Sequence, residues 1–531
     1  MKTVLIASPY PLEEAPAPPL GLCYAAAACE AAGAEVVILD YIVRQYTPEK
    51  LIAEIDALKP DAVGTNSVTL NFNKAAGILR TIKRHNPSIV TMMGGPHVTF
   101  DVDNTLTRYP EIDVIVIGEG EATLSELIPA IGNRAAWEGI KGIAFRRDGG
   151  IFVTEPRELI QDLDSLPIPA RHLLPMSRYR ALGYVGSIIT SRGCPNKCIF
   201  CQGRRMVGYK SRLRSVRLVV DEIEDVLSYG WDRINIADDL FTMNKKRVVE
   251  FCDELTRRNL TFKWSAFARV NTVDEEILHH MKDAGCDAVS FGIETGNQEM
   301  LKRLQKGTTL DQARQAVKWC KAAGIITHAS FMVGLPGETM ETMRQTGDFA
   351  RELDIIYGYH ILTPFPGTTL RERIADYDLE ILTDDWDRYA ANEAVMRTSS
   401  LTPEEINRFV HDFEQEMDAP WEELVARYWN GKVNDQEFFR VEGHYRTQLI
   451  YRMLSEDLIE KSGAFNGSGD DPVAALSAHL TNLSGMDGPF VERTIRSLAG
   501  SGFLKCAGTS GAVQWYWTHN NREDRLPVSL L

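Results

Sequence analysis

Between residues 3 and 135, short apolar runs alternate with stretches of helical periodicity. Runs of strand length separated by helices are typical of a parallel sheet that is covered by helices on both faces. Five strands are predicted, at residues 3–7, 35–39, 62–64, 89–93 and 113–117. The pattern therefore predicts a doubly wound α/β sheet, in which ligands bind at the carboxyl ends of the strands.

A second series of strand-like runs begins after residue 180. Every run except the last is followed by a helix-compatible stretch. The six runs lie at residues 186–190, 233–237, 262–268, 288–293, 327–333 and 359–362. Six β/α units form a partial (β/α)6 barrel, and the chemistry of such barrels sits at the carboxyl ends of the strands.

The other segments are less regular. Residues 136–180 show little periodicity and carry four prolines, which predicts a linker segment. The chain after residue 386 is helical, and Thr402 followed by Pro403 is a helix-start signal. A winged-helix-like unit is predicted from a helix at 491–498, a strand at 500–504, a turn at 508–511 and an aromatic strand at 513–517. The predicted domains are 1–135, 136–180 (linker), 181–385 and 386–531.

The composition narrows the set of partners. A length of 531 residues exceeds what one hydrophobic core supports, which agrees with several domains. The formal net charge of −15, without a long Lys/Arg tract, argues against nucleic acid as a partner. Because no apolar run approaches the length of a membrane span and the first run does not resemble a signal peptide, we expect no membrane partner and a cytoplasmic location. Nine cysteines, mostly isolated, also favour a reducing compartment.

Three of these cysteines are clustered. Cys194, Cys198 and Cys201 have the spacing C-x3-C-x2-C, with Phe200 before the third cysteine. Residues 190–201 resemble the signature of radical S-adenosylmethionine (SAM) enzymes, in which three thiolates hold a [4Fe-4S] cluster and leave one iron free to bind SAM. The alternative is a structural zinc site, which requires four ligands, and no further Cys or His follows at the spacing of a zinc finger.

The ends of the later barrel strands match the same family in order. The resemblance implies that the two aspartates accept a hydrogen bond from the SAM ammonium group and that the arginine pairs with its carboxylate. The alternatives are helix capping for the aspartates and an ion pair at the barrel rim for the arginine. The implied SAM contacts are Phe200, Asp238, Asp239, Arg269, Glu294, Gly334 and Glu338.

A Rossmann-like domain before such a barrel resembles the cobalamin-dependent subgroup of radical SAM enzymes, over residues 1–385. The resemblance rests on Ser67-x-Thr69, on Gly94-Gly95 and on Pro19-Leu20-Gly21 at the first helix. The implied cobalamin contacts are Pro19, Leu20, Gly21, Ser67, Val68, Thr69, Gly94, Gly95, His97, Gly118, Glu119 and Gly120. For His97, a satisfied loop histidine is an equal alternative. Dinucleotide and flavin sites are the alternatives for the domain, but its first strand lacks G-x-G-x-x-G.

One departure from cobalamin domains of the methionine synthase type concerns the cobalt. Those domains carry a D-x-H-x-x-G motif after the first strand, whereas this chain has no histidine in residues 1–84. The resemblance therefore implies cobalamin bound without the usual imidazole, and it leaves the lower cobalt ligand open.

The subgroup resemblance implies a class B methyltransferase that moves a methyl group from SAM, via methylcobalamin, to an unactivated carbon. An external electron donor is then required. We expect a peptide or protein substrate, with a glutamine residue as the specific candidate. One alternative is a cobalamin-dependent cyclase or rearrangement enzyme that acts on a small molecule. Another is a cobalamin-sensing DNA-binding regulator. The segment from residue 441 onward carries eight Lys/Arg and ten Asp/Glu, whereas a DNA-binding module is expected to be basic, so its charge argues against this alternative.

Two further groups of residues have open roles. Trp515, Tyr516 and Trp517 are candidates to anchor a protein partner, although aromatic residues in strands more often belong to a core. Basic residues that follow the cluster motif are expected mostly on a solvated face, with contacts to the cobalamin phosphate or an acidic substrate as the alternative. They are Arg204, Arg205, Lys210, Arg212, Arg214 and Arg217.

Overall fold

The computed structural model describes residues 1–11, 17–466, 471–509 and 512–519. Its first part contains β1 (Lys2–Ala7), α1 (Leu20–Ala31), β2 (Glu35–Asp40), α2 (Pro48–Leu58), β3 (Ala62–Asn66), α3 (Phe72–His85), β4 (Val90–Gly94), α4 (Pro96–Phe100), α5 (Val102–Arg108), β5 (Val114–Val116), α6 (Glu121–Leu127), β6 (Ile143–Arg147) and β7 (Gly150–Val153).

These strands form one sheet in the order β2-β1-β3-β4-β5-β6-β7. Strands β1 to β5 pair in parallel, which confirms the predicted doubly wound α/β sheet. Successive side chains of a strand point to opposite faces, so Leu5 and Ile6 of β1 belong to two different apolar cores. Helices cover both cores, and this leaves the carboxyl ends of the parallel strands open to a ligand.

The segment 136–180, expected as a linker without regular structure, instead extends this sheet. Strands β6 and β7 form a hairpin that adds antiparallel to β5. The turn consists of Asp148 (φ +52°) and Gly149 (φ +80°), the Asp-Gly pair that two-residue hairpins favour. The signal was therefore present in the sequence, but the prolines outweighed it in the prediction.

The second part contains α7 (Met176–Ala181), β8 (Gly186–Ile188), β9 (Ser191–Arg192), α8 (Gly203–Val207), β10 (Arg212–Leu213), α9 (Val216–Ser228), β11 (Arg233–Ile236), α10 (Lys245–Arg257), β12 (Lys263–Ala268), α11 (Glu275–Asp283), β13 (Cys286–Glu294), α12 (Gln298–Arg303), α13 (Leu310–Ala323), β14 (Ile326–Val333), α14 (Met340–Leu353) and β15 (Ile356–Ile361). Six of these strands pair in parallel in the order β15-β14-β13-β12-β11-β8. The predicted partial (β/α)6 barrel is confirmed.

The last part contains α15 (Thr369–Glu372), β16 (Glu380–Ile381), β17 (Met396–Arg397), α16 (Pro403–Trp429), α17 (Asp435–Ser455), α18 (Leu458–Lys461), β18 (Ala464–Asn466), α19 (Pro472–Ser484), α20 (Gly488–Gly500), β19 (Leu504–Thr509) and β20 (Ala512–Trp517). Short 3-10 turns lie at Thr69–Asn71, Arg134–Gly139, Leu163–Ser165, Arg171–Leu173, Phe241–Met243, Ile374–Asp376 and Trp386–Arg388. As predicted, Thr402 caps α16 and accepts a hydrogen bond from the Glu405 amide.

The chain end has the element order of a winged helix, α18-β18-α19-α20-β19-β20, with the sheet order β18-β20-β19. This confirms the winged-helix-like prediction, whose turn at 508–511 lies partly outside the described residues. Trp515 and Trp517 are only 4% and 2% exposed, so the preferred alternative from the sequence, that they belong to a core, is confirmed for these two residues. They belong to the core because β20 is the central strand of its small sheet.

The winged-helix-like unit docks against the loop after β2, against α2 and against α7. Asp457 accepts from the Gln45 amide at 3.0 Å and pairs with Lys50. Thr518 Oγ1 donates to Ser177 Oγ at 2.7 Å. Across the part of the chain that the structure describes, no helix has the length and apolar content needed to cross a membrane.

Candidate active site

The three clustered cysteines lie on a loop enclosed by a short antiparallel hairpin. Strands β9 and β10 pair at its base and bracket residues 193–211. The loop begins at Gly193 (φ +103°), where a Cβ would lie 2.2 Å from the Lys210 carbonyl oxygen, so only glycine fits. We call residues 191–213 the cluster hairpin.

The cysteines of the cluster hairpin are free thiols that face polar neighbours. Cys201 is exposed, and Cys194 and Cys198 are half-buried. Asn196 Nδ2 donates to Cys194 Sγ at 3.2 Å, and Arg269 Nη1 donates to Cys198 Sγ at 3.6 Å. Three free thiols on one loop are a suitable donor set for an iron–sulfur cluster.

The two aspartates after β11 have different environments. Asp238 is buried and accepts from the Thr190 amide, Thr190 Oγ1 and Ser191 Oγ, each at 2.6 Å. Its oxygens are used to hold the end of β8, so the expectation that Asp238 contacts the SAM ammonium group is not supported by its geometry. Asp239 is exposed and lies beside the third cysteine, because a Cβ at Gly203 would be 2.9 Å from Asp239 Oδ1 and 3.6 Å from Cys201 Sγ. Asp239 is the aspartate available to a ligand.

Arg269 and Glu294 are brought together by a residue that the sequence analysis missed, Lys306. Lys306 Nζ donates to Glu294 Oε1 at 2.6 Å, and the Lys306 carbonyl accepts from Arg269 Nη2. The ammonium group also lies 5.9 Å from the centre of the Phe200 ring. Glu294 has φ +74°, a left-handed conformation at a bulge of β13, which is uncommon for a non-glycine residue. Arg269 thus contacts Cys198, and Lys306 connects Arg269 with Glu294 and Phe200.

Lys306→Met leaves the buried Glu294 carboxylate without its cation, and removing one partner of a buried ion pair costs a few kcal/mol of stability in measured cases. Because Glu294 then loses the contact that holds it in place, we expect SAM binding to weaken by at least about tenfold. SAM affinity is measured by equilibrium dialysis on the reconstituted chain, with iron content as the check on cluster loading. The matched control is Lys302→Met, which removes an exposed lysine that pairs with Glu299 at 3.4 Å. Unchanged SAM affinity in Lys306→Met would contradict the prediction.

Gly334 and Glu338 form a closed loop after β14. Glu338 Oε2 accepts from the amides of Gly334 and Leu335 at 2.6 and 2.9 Å. Burial raises the pKa of Glu338 to about 8, although the two hydrogen bonds from the backbone amides lower it. The carboxyl group is fully buried, so Glu338 shapes the loop and its side chain does not reach an open site, contrary to the expected SAM contact.

A cavity of about 340 Å³ separates the first sheet from the cluster hairpin. On the sheet side it is lined by glycines at the carboxyl ends of strands and at the start of α1, and on the other side by Arg192, Met206 and Asp239. The predicted cobalamin contacts that line it are Gly21, Gly94, Gly95, Gly118, Glu119 and Gly120. Gly95 has φ +104°, and a Cβ there would lie 2.5 Å from the Ser67 carbonyl oxygen.

The other predicted cobalamin contacts do not line this cavity. Pro19 precedes α1, and its carbonyl accepts from the amides of Leu22 and Cys23. Leu20 faces a separate small cavity, and Val68 is 43% exposed. Ser67 is fully buried, with Oγ 3.5 Å from Met93 Sδ, and Thr69 is bonded to His97. The Ser67–Thr69 segment therefore supports the cavity wall from behind.

His97 is a core histidine, the alternative considered from the sequence. Its Nδ1 is 3.2 Å from Thr69 Oγ1, and its ring stacks on Phe72 with centroids 4.0 Å apart. Burial, and secondarily the charge of Arg371, lower the pKa of His97 to about 3. The nearest carboxylate, Asp101, is 3.8 Å from Nε2, which is too far for a hydrogen bond. The side chain is therefore neutral in the folded protein.

This neutrality predicts a loss of stability in acid. Between pH 6.5 and 3 the unfolded chain protonates His97 and the folded chain does not, so the contribution to stability falls as the pH falls. We expect about 2 kcal/mol to be lost between pH 7 and 5. The measurement is urea unfolding of the wild-type and His97→Gln chains at both pH values. The difference between the two chains should shrink by that amount at pH 5, and a difference independent of pH would contradict it.

Glu119 faces the cavity, but its carboxylate is already bonded. It accepts from Arg212 Nη1 and Nη2, both at 2.8 Å, and from Arg192 Nη1 at 3.1 Å. Arg192 also pairs with Glu121 at 2.5 Å. Burial would raise the pKa of Glu119, but hydrogen bonds from Arg212 and Ile160 and the charge of Arg192 lower it overall. Its expected role as a cobalamin contact therefore competes with an ion-pair role that local sequence cannot show.

Basic residues after the cluster motif are not all on a solvated face. Arg212 and Arg214 are buried, and Arg214 pairs with the fully buried Glu222. Tyr179, in the segment expected as a linker, donates to the buried Asp40 at 2.7 Å. The Tyr179–Asp40 bond joins segments 139 residues apart, whereas the Arg214–Glu222 pair is local.

Comparison with known proteins agrees with both halves of the site. Residues 188–350 match the Radical SAM superfamily, and residues 14–128 match the B12 binding domain. An uncharacterized methyltransferase of Pyrococcus horikoshii is 37% identical, over 82% of this chain and 93% of that protein. The chain belongs to the cobalamin-dependent radical SAM methyltransferases. As a member of this family, it uses a [4Fe-4S] cluster, SAM and cobalamin.

Among other proteins similar to this cobalamin-dependent radical SAM methyltransferase are a cyclase and a solved methyltransferase. An anaerobic magnesium-protoporphyrin IX monomethyl ester cyclase of Rubrivivax gelatinosus is 32% identical, over 72% of this chain and 70% of the cyclase. The solved radical SAM methyltransferase TsrM of Kitasatospora setae, with tryptophan substrate and a SAM analog bound, has a TM-score of 0.64 at 20% identity, over 87% of this chain and 99% of that one. That structure shows the shared fold. Family membership makes the chain an enzyme and does not favour a DNA-binding regulator.

Proposed function

We propose that the chain is a C-methyltransferase that moves a methyl group from SAM to an unactivated carbon of a peptide or protein. The observation that carries the proposal is the cavity, which touches the glycine-rich edge of the B12-binding sheet on one side and Asp239 of the cluster side on the other. A substrate carbon in this cavity would lie between the residues that would hold the two cofactors.

The proposed division of labour follows the geometry of the site. The proposed cluster ligands are Cys194, Cys198 and Cys201, and the proposed SAM contacts are Phe200, Asp239, Arg269, Glu294 and Lys306. The proposed cobalamin contacts are Gly21, Gly94, Gly95, Gly118 and Gly120. We propose domain boundaries at 180 and 385 and assign the hairpin β6–β7 to the first domain, because it continues that domain's sheet. The external electron donor remains part of the proposal.

When bound, the cofactors supply an electron that cleaves SAM and a metal that carries the methyl group. The chain positions them. Each terminal nitrogen of Arg269 carries a second hydrogen besides the one donated to Cys198 or to the Lys306 carbonyl, so the guanidinium can also donate to a carboxylate. Lys306 holds the Glu294 carboxylate. The apolar cavity lining, which includes Leu5, Met92 and Leu124, excludes water from reactive species. No general base is required at an unactivated carbon.

The proposed peptide substrate is supported by surface chemistry outside the cavity. On the α16–α17 hairpin, Trp429 is 61% exposed and Phe439 is 71% exposed, so large apolar side chains are available to contact a partner. A glutamine residue, the target of the glutamine C-methyltransferase of methyl-coenzyme M reductase, is the specific candidate. A free amino acid is the alternative suggested by the tryptophan in the similar solved structure.

The test uses methyl-deuterated SAM. The reconstituted chain is incubated without oxygen, with a reductant and with separated protein and small-molecule fractions of the native extract. We expect deuterated methyl in the protein fraction that survives acid hydrolysis as a carbon-bound group, and none with the Cys198→Ala chain. Label confined to small molecules would overturn the peptide substrate, and turnover without label would overturn methyl transfer.

The second candidate function is cyclisation or rearrangement of a small molecule, which the 32% identity to the Rubrivivax gelatinosus cyclase favours. Its distinguishing result is 5'-deoxyadenosine formation that depends on the small-molecule fraction, with no deuterated methyl in any product. The same incubation thus separates the two functions.

A further inference from the structure

A buried ion-pair network joins the two cofactor-binding parts. Two of its carboxylates, Glu119 and Glu121, follow β5 of the B12-binding sheet, and its two guanidiniums, Arg192 and Arg212, belong to the cluster hairpin. The side chains of all four residues are at most 10% exposed. We call these four residues the Glu119 clamp.

Each half of the clamp is attached to a different cofactor region. Arg192 of β9 and Arg212 of β10 lie opposite each other in the antiparallel strand pair, at the base of the loop that carries all three cysteines. Glu119 and Glu121 lie in the segment that lines the cavity next to Gly118 and Gly120. A shift of the B12-binding edge relative to the cysteines must therefore break or bend the clamp.

The contacts are of the type that fixes both distance and angle. Arg212 meets Glu119 with two parallel hydrogen bonds of 2.8 Å, and such two-pronged pairs are directional as well as strong. The Ile160 amide donates to Glu119 Oε2 at 2.8 Å, and Arg212 donates to the Ile160 carbonyl, so the connecting segment is held as well.

The charge balance favours positioning over ligand binding. Two carboxylates face two guanidiniums, so the clamp offers no net charge to a phosphate or carboxylate in the cavity. Arg192 also lies 5.2 Å from the centre of the Tyr24 ring, another residue of the cavity wall. The remaining face of the arginine is thus covered by protein.

We propose that the Glu119 clamp sets the position of the B12-binding edge against the cluster hairpin, so that Glu119, Arg192 and Arg212 are positioning residues for methyl transfer. Cobalamin binding on one side then restrains the cysteine-bearing loop on the other. This inference rests on the family's cofactors and does not depend on the identity of the substrate.

The test measures that restraint directly, by hydrogen–deuterium exchange of residues 193–211 with and without hydroxocobalamin. Coupling between two sites commonly amounts to about 5- to 150-fold, so we expect hydroxocobalamin to slow exchange by at least about fivefold in the wild-type chain. In Glu119→Gln we expect hydroxocobalamin to bind, as seen in its visible absorbance, without slowing exchange.

The matched control is Glu126→Gln. Glu126 is in the same helix as Glu121 and makes a two-pronged pair with Arg157, at 2.9 and 2.7 Å, but this pair is half-exposed and does not reach the cluster hairpin. We expect this variant to behave as wild type. Retained protection in Glu119→Gln would overturn the clamp. The clamp would also be overturned if Glu119→Gln lost hydroxocobalamin binding while its ligand-free exchange at residues 193–211 equalled that of the ligand-free wild type. Glu119 would then be a direct ligand.

Arg212→Lys decides the case if Glu119→Gln does not fold. Lysine keeps the positive charge but cannot make the two-pronged contact, so we expect intermediate protection of residues 193–211. Full wild-type protection in Arg212→Lys would overturn the proposal. Where Glu119→Gln does fold, the loss of protection in the double variant with Glu119→Gln and Arg212→Lys should not exceed that of Glu119→Gln alone, because residues of one network are not additive.

Discussion

Replacing Cys198 by alanine will reduce SAM cleavage by at least about 1000-fold, because enzymatic accelerations commonly exceed 10⁶-fold and here depend on the cofactor. Two thiolates cannot hold the cluster that leaves one iron free for SAM. The measurements are iron content, the electron paramagnetic resonance of the reduced chain and the rate of 5'-deoxyadenosine formation. All three should fall to background.

The control for this variant is Cys506→Ala. Cys506 is also a free cysteine, although it is exposed where Cys198 is half-buried, and it lies in β19 of the winged-helix-like unit, far along the chain from the cluster hairpin. Its loss should leave iron content and SAM cleavage unchanged. If Cys198→Ala kept its iron and its rate, the proposed ligand set would be wrong.

Gly95→Ala is expected to have the second-largest effect, and it acts on the cobalamin side. At φ +104° an alanine is strained, and its Cβ would be 2.5 Å from the Ser67 carbonyl oxygen and 2.8 Å from the Ser67 amide nitrogen. Backbone atoms cannot rotate away, so the cavity wall must shift. Strain of this kind costs about 1–3 kcal/mol. Because bound cobalamin requires the wall in its original position, we expect this strain to oppose binding and cobalamin affinity to fall by about 10- to 100-fold.

The affinity is measured by titration with hydroxocobalamin, and stability by thermal unfolding. Gly77→Ala is the matched control, because it lies inside α3 and an added Cβ would have no atom within 4 Å apart from its chain neighbours and its own helix backbone. Alanine in a helix interior is more favourable than glycine by about 0.5–1 kcal/mol, so this control should be slightly more stable and bind cobalamin normally. Normal affinity in Gly95→Ala would show that the wall tolerates the shift.

The regular elements could be predicted because their signals are local. Each of the five parallel strands of the first sheet is a short apolar run, and a run buried on both faces needs no knowledge of its partners. The same holds for the six barrel strands and for the start of α16 at Thr402. The hairpin β6–β7 also had a local signal, Asp148-Gly149, and was missed because prolines in the same segment were given more weight.

The roles of neighbouring polar residues could not be predicted in this way. Asp238 and Asp239 are adjacent, but one side chain is buried against Thr190 and Ser191 and the other faces the cavity. The Asp238-Asp239 pair by itself is compatible with either residue having either environment. Which carboxylate meets the ligand depends on how the strand end is oriented against a segment almost fifty residues earlier.

The sequence by itself determined the cluster motif, the two α/β units and the glycines at the strand ends, because spacing and backbone freedom are properties of a few consecutive residues. Only the tertiary structure decided that Lys306 holds Glu294, that His97 belongs to the core and that Glu119 is bonded to Arg192 and Arg212. A buried charge is unfavourable unless it is paired or hydrogen-bonded, and the fold can supply the partner from any position along the chain. Local sequence therefore does not identify that partner.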